Sequence, residues 1–193
     1  KVPDDLADMD WKSWRRELQK DSEILALLQA MVADITPAHD TKLQEILRLI
    51  ADKIEHPINE GNRRVLVFSA FSDTAEYLYE HVSTYLKETY GYDTALITSS
   101  VDGRTTIAGF RATLNNVLTC FSPISKGRDV LMPGSAADIT VLIATDCISE
   151  GQNLQDCDYV VNYDIHWNPV RIIQRFGRVD RIGSRNACIQ LVN

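Results

Sequence analysis

The stretch Asn168-Pro169-Val170-Arg171-Ile172-Ile173-Gln174-Arg175-Phe176-Gly177-Arg178-Val179-Asp180-Arg181-Ile182-Gly183 organises the rest of the chain. It reads as a helix with a prepared start. Asn168 is a good N-cap, and Pro169 suits the first helical position, where its missing N–H costs nothing. The 3.6-residue period puts Ile172, Phe176 and Val179 on one face, available for packing. Gln174, Arg178 and Arg181 fall at i, i+4 and i+7 on another face, if the helix runs that far. Gly177 lies between them and weakens the helix there. Guanidiniums held in a row suit phosphate oxygens. A solvated basic face is the plainer reading of the same pattern.

Charge distribution bears on that choice. The chain has 193 residues and a net charge of −7, which argues against a protein that coats nucleic acid generally. Residues 1–60 carry 8 basic and 13 acidic side chains, and residues 61–170 carry 7 and 13. Residues 171–193 carry 5 arginines and only Asp180. A local positive site on an acidic body suits a polyanion bound in one place.

The length suits one domain with an appendage, and 45% hydrophobic residues allow a real core. No run of about 18 apolar residues suggests a membrane span. The first residues lack an initiator Met and the apolar core of a signal peptide, so a fragment of a longer protein is expected. Cys120, Cys147, Cys157 and Cys188 form no CxxC pair and have no His at zinc spacing. Free thiols in a reducing compartment are expected, bacterial cytoplasm first, or nucleus if the source is eukaryotic.

Residues 4–35 carry apolar side chains at three- and four-residue steps and read as helix, with a linker around Pro37. Residues 1–40 are therefore taken as a helical extension. Thr41-Lys42-Leu43-Gln44 has the form of a capping box before an amphipathic helix that ends near His56-Pro57. Strands are expected at Val65–Phe68, Ala95–Thr98, Ile139–Ala144, Tyr159–Tyr163 and Cys188–Val192. Helices are expected from Ser72 or Asp73 to Gly91 and from about Arg104 through Val117. Residues 119–138 read as a long loop in which Ser125-Lys126-Gly127-Arg128 could touch phosphates or simply form a surface insertion.

Apolar strands alternating with helices indicate an α/β fold, a parallel sheet covered on both faces. In such folds ligands bind at the loops that follow the strands. Those loops hold Ser69, Ser99, Ser100, Thr145, Asp146, Glu150, Gly151, Asn153 and His166-Trp167-Asn168. Asp146 and Glu150 could bond sugar hydroxyls or neighbouring arginines, and Gly151 lets a backbone approach a ligand closely.

Ala-Thr-Asp-x-x-x-Glu-Gly-x-Asn-Leu at 144–154 is similar to motif V of superfamily-two helicases. Gln-Arg-x-Gly-Arg-x-x-Arg at 174–181 is similar to their motif VI, and Val65–Phe71 looks like motif IV. Tyr163-Asp164-x-x-Trp167-Asn168-Pro169 and Arg181-Ile182-Gly183 resemble the Swi/Snf-like ATPases. The resemblance covers about residues 40–193 and implies the second RecA-like lobe of a two-lobed enzyme, with a helical extension at 1–40. The chain ends where the family has a late strand, so truncation within the lobe is expected.

By that resemblance Arg178 and Arg181 are arginine fingers and Gln174 contacts phosphates or the attacking water. Gly151, Asn153 and Glu150 face the nucleotide. Thr145, Ser69, Ser99 and Ser100 belong to the nucleic-acid grip, while Asp146 and Arg175 couple the two sites. The implied cofactor is ATP with Mg²⁺. The chain has no phosphate loop and no Asp-Glu magnesium motif, so the first RecA-like lobe would supply both, and no metal ligand is assigned here. Duplex DNA is the implied partner, with RNA as an alternative and no membrane. A fragment without the first lobe is expected to be inactive. A stand-alone interaction module with the same fold is the other class of reading. Ser184 departs from the Gln common after Arg-Ile-Gly in this family.

Overall fold

A computed structural model describes residues 10–33, 35–99, 103–148, 151–165 and 168–193. The chain divides into two compact units, residues 1–44 and 45–193. In the first, helix α1 (Trp11–Val32) begins at Asp10, whose carboxylate accepts the Ser13 N–H at 3.1 Å. None of its residues is buried. A single turn at Pro37–His39 precedes α2 (Thr41–Glu55), whose residues from Glu45 onward belong to the second unit. The capping box expected at Thr41 gives way to a cap one residue earlier. Asp40 accepts the Leu43 N–H at 2.9 Å, and Gln44 donates instead to the Pro37 carbonyl. A carboxylate at that position also favours the positive end of the helix dipole.

In the second unit six strands form one sheet in the order β3-β2-β4-β1-β5-β6. They are β1 (Val65–Phe68), β2 (Thr94–Ile97), β3 (Arg104–Thr105), β4 (Val141–Ala144), β5 (Tyr159–Asn162) and β6 (Gln190–Val192). All pairings are parallel except β2 with β3. Every residue of β1, β2, β4 and β5 is buried, as strands covered on both faces require. Leu66, Phe68, Ala95, Ile97, Leu142, Ala144 and Val160 point to one face. There they join Val117, Leu118, Cys120 and Phe121 of α4 (Leu114–Phe121). The alternate strand residues face the other way, towards α2 and α3 (Ser72–Tyr90). On that side Lys53 of α2 lies 5.9 Å from the Tyr159 ring centroid, and its ammonium pairs with Asp158 with both side chains wholly buried. No helix among the described residues is long and apolar enough to cross a membrane.

Two expectations are corrected here. The helix expected from Arg104 begins only at Leu114, where Thr113 accepts the Asn116 N–H. Arg104 and Thr105 instead form the antiparallel edge strand β3, and the Arg104 guanidinium lies 4.9 Å from the Tyr79 ring centroid. A Cβ at Gly103 would overlap the Ala112 carbonyl oxygen, so the turn back from the strand needs glycine. Residues 119–138 are not one long loop. They contain the end of α4 and two four-residue helices, α5 (Pro123–Lys126) and α6 (Arg128–Leu131), divided by Gly127 at φ +65°. The Asp156 carboxylate accepts the N–H groups of Ile124 and Ser125 at 2.6 and 3.1 Å and fixes the start of α5.

Candidate functional site

The parallel strands end level with one another, and the ladder continues for one further rung. Ser69 N–H donates to the Ala144 carbonyl at 3.0 Å, Thr145 N–H to Ile97 at 3.1 Å, and Tyr163 N–H to Phe68 at 2.8 Å. Thr98, Thr145, Ser69 and Tyr163 therefore emerge along one sheet edge. Thr145 is buried, with its hydroxyl 3.4 Å from the Cys147 sulfur. Ser69 is buried too, its hydroxyl 2.6 Å from Asp164 Oδ2. Ser99 is exposed. A cleft of about 480 Å³ opens beside it, lined by Thr98, Gly103, Arg111 and Thr113. The sequence pattern puts Arg111 inside a helix from Arg104, and only the late start of α4 at Leu114 leaves it at this cleft. Ser100, Glu150, His166 and Trp167 lie outside the described residues.

Arg175 stands behind this edge. It comes from α7 (Pro169–Phe176) and is fully buried. Its Nε donates to Asp146 Oδ1 at 2.7 Å and its Nη1 to Asn162 Oδ1 at 3.0 Å. The guanidinium lies 5.0 Å from the Phe68 ring centroid, a cation–π distance. Asp146 follows β4, Asn162 ends β5, and Asp164 reaches across to Ser69 and the Ala70 N–H. One arginine thus holds the loops of three adjacent strands in a fixed relation.

The arginines beyond it are not on a helix. Asn168 caps α7 as its sequence suggests, accepting the Val170 N–H at 3.0 Å, but the helix stops at Phe176. Residues 177–180 form a turn in which Val179 N–H and Asp180 N–H both bond to the Phe176 carbonyl. Gly177 has little helix propensity, and Val179 turns fully into the core. Gln174, Arg178 and Arg181 therefore do not share a helical stripe. Gln174 is half-buried on the last helical turn, Arg178 half-buried in the turn that follows, and Arg181 exposed beyond it.

Arg178 is joined to the 151–154 segment, since its carbonyl accepts the Leu154 N–H at 3.0 Å. Gly151 there has φ +71°, a left-handed conformation that favours glycine, with open space on its Cβ side. The Asn153 amide oxygen accepts the Gln155 N–H. Gln152 Oε1 accepts from the Lys126 ammonium at 2.7 Å, a contact between residues that no sequence motif links. Burial, and then the nearby Arg181 charge, lower the Lys126 pKa.

Six buried side-chain N or O atoms among the described residues have no hydrogen-bond partner. Three of them, Gln174 Oε1, Arg175 Nη2 and Arg178 Nε, belong to this one segment. Buried polar atoms are rarely left unsatisfied, so these three make the segment a candidate place for a polar ligand or an ordered water. Two of the three are donors on guanidinium groups, which suit an oxyanion.

The model of the helicase conserved C-terminal domain matches residues 41–183. The chain belongs to the helicase C-terminal domain family. An uncharacterized ATP-dependent helicase of Bacillus subtilis, YqhH, is 56% identical to this helicase domain over 45 residues, 23% of the chain and 8% of that protein. The mitochondrial ATP-dependent RNA helicase MRH4 of Kluyveromyces lactis is 26% identical over 80% of the chain and 30% of its own length. The putative ATP-dependent DNA helicase fml2 of Schizosaccharomyces pombe is 27% identical over 72% of the chain and 16% of its own. The chain thus spans less than a third of each of these relatives.

Two solved structures are similar to this helicase lobe in fold. The C-terminal part of the Fun30 ATPase domain matches with a TM-score of 0.51 at 18% identity, over 78% of the chain and 39% of its own. Saccharomyces cerevisiae Dbp5 L327V bound to RNA and ADP BeF3 matches with a TM-score of 0.50 at 20% identity, over 79% and 32%. The mostly parallel six-stranded sheet with helices on both faces is that of a RecA-like helicase C-terminal lobe.

Proposed function

We propose that this lobe is half of the ATP site of a Swi/Snf-like, ATP-dependent DNA translocase. The observation that carries the reading is the set of unpartnered buried atoms on Gln174, Arg175 and Arg178 beside the 151–154 segment. Arg178 and Arg181 act as arginine fingers, placing positive charge against the transferring phosphoryl group, and Gln174 contacts the phosphates or the attacking water. Gly151, Asn153 and Glu150 line the nucleotide side. Thr145, Ser69, Ser99 and Ser100 grip a nucleic-acid strand along the sheet edge, and Asp146 with Arg175 couples the two sites. The Tyr163-Asp164-x-x-Trp167-Asn168-Pro169 and Arg181-Ile182-Gly183 signatures support the Swi/Snf-like assignment.

The remaining parts come from the first RecA-like lobe. Among the described residues no group of three or more His, Cys, Asp or Glu side chains is placed to hold a metal ion. In this reading the chain contributes charge and positioning, with magnesium and the phosphate loop held across the cleft. The test is ATP turnover of the full-length protein carrying Arg178→Ala or Arg181→Ala. Loss on the order of 10³-fold or more is expected for a finger. Near-normal turnover in both variants would refute the assignment.

An RNA helicase is the second reading, favoured by relatives such as MRH4 that carry that name. Turnover stimulated by RNA above duplex and single-stranded DNA would select it.

A further inference from the structure

Between α4 and β4 the chain carries a cation up to the segment that holds the arginines. Asp156 fixes the start of α5, and Gly127 closes the helix with its N–H on the Pro123 and Ile124 carbonyls. Lys126 is the last residue between these two restraints. It is half-buried, and its ammonium donates to Gln152 Oε1 at 2.7 Å. Gln152 belongs to the segment whose Leu154 N–H bonds to the Arg178 carbonyl. Lys126, through the Gln152 side chain, and Arg178, through its backbone carbonyl, thus attach to one short segment, residues 152–154.

The position is costly for an ammonium ion. It is partly withdrawn from water, and a neutral amide oxygen is the acceptor shown for it. No carboxylate among the described residues forms an ion pair with it. The Arg181 charge lies close enough to act against its protonation. An ammonium partly withdrawn from water beside another cation is stabilised when an anion enters between them.

We propose that Lys126 is a third cation of the nucleotide site, joining Arg178 and Arg181 around the terminal phosphoryl oxygens of a nucleoside triphosphate. The proposal rests on the ATP-site reading above and adds to it a residue from a segment the motifs do not include. A lysine suits this place because its compact ammonium can move from Gln152 to a phosphoryl oxygen without a bidentate partner.

The experiment uses the full-length protein with Lys126→Met, Lys126→Arg and Gln152→Ala, beside Arg178→Ala. Binding of a non-hydrolysable ATP analogue and of ADP is measured by titration, with turnover and the unfolding midpoint in parallel. Lys126→Met is expected to weaken analogue binding and lower kcat/KM by about 10- to 100-fold, a range usual for one donor to a developing oxyanion or slightly below it. ADP binding and the midpoint stay near wild type, and Lys126→Arg restores most of the loss. Gln152→Ala keeps the charge and changes kcat/KM little.

If Lys126 only pins the segment, Gln152→Ala matches Lys126→Met, and the proposal fails. Equal weakening of ADP and of the analogue removes Lys126 from the terminal phosphate and also overturns it. Wild-type behaviour of Lys126→Met beside a disabled Arg178→Ala sinks this inference alone. Normal turnover in Arg178→Ala and Arg181→Ala together would instead sink the underlying reading.

Discussion

The sheet edge and the arginine turn lie next to each other and are built in opposite ways. Along the edge the polar side chains named above bond within the fold, with Arg175 Nη2 the exception. Ser69 meets Asp164, and Asp146 meets Arg175. Asn162 accepts from Arg175 and donates to Asn193. The backbone there continues a regular ladder. At residues 177–181 the backbone leaves the helix, and the side chains of Gln174 and Arg178 hold buried atoms with no partner. The edge is a network built on the fold's own groups, whereas the turn presents polar atoms that the fold does not engage. Removing Arg175 from this network should therefore act first on stability, and removing Arg178 on chemistry.

The widest separation is expected between two arginines three residues apart. Arg178→Ala should cost on the order of 10³-fold in turnover of the full-length protein. It should leave the unfolding free energy within about 0.5 kcal/mol of wild type, since it removes an atom that has no partner. Arg175→Ala should do the reverse to the fold. It leaves Asp146 and Asn162 facing an empty buried space, and loss of one partner from a buried ion pair costs about 3 kcal/mol or more. Urea unfolding of both variants checks the contrast. A destabilised Arg178→Ala beside a stable Arg175→Ala would erase the distinction.

What the sequence reveals follows the same division. Strands β1, β2, β4 and β5 are continuous apolar runs, and their type is legible because both faces are covered. Strand β3 has two residues, too few for any period, and exists because β2 offers an open edge. Helices α5 and α6 are as hard to read, since Asp156, a residue of another element, fixes the start of α5. The residues of the arginine stretch are recognisable by type and order. Their geometry is not, because a Gly at 177 and a core-seeking Val179 end the helix inside an otherwise helical pattern. The Lys126 to Gln152 contact joins residues 26 apart in the sequence, and no local rule points to it.

The thiols extend the comparison to pH. Cys157, at the entry to β5, is wholly buried, and burial raises its pKa from an ordinary 9.0 to about 12. The folded chain keeps the thiol proton over that interval while the unfolded chain releases it. The unfolded state then binds fewer protons, so stability falls as pH rises from about 9 and levels off above about 12. Urea midpoints at about pH 8 and pH 10, for wild type and Cys157→Ala, measure the slope. A slope unchanged by the substitution would assign it elsewhere. Native alkylation should also mark exposed Cys147 and Cys188 and spare buried Cys120 and Cys157.

The smallest effect lies at the start of α7, where edge and turn share one element. Asn168 accepts the Val170 N–H at 3.0 Å and sets where the helix begins. Replacing a good N-cap with alanine costs about 1 kcal/mol. Pro169 holds its backbone angle without that bond, so Asn168→Ala should loosen the first turn without melting the helix. Arg175 sits two turns further on, and its bonds to Asp146 and Asn162 anchor the far end of α7 independently. The cap loss and the Arg175→Ala loss should therefore add in the double variant. A double variant losing clearly more or less than the sum would mean that the start of α7 and the Arg175 network act as one unit, and that the edge and the turn are less separable than their bonding suggests.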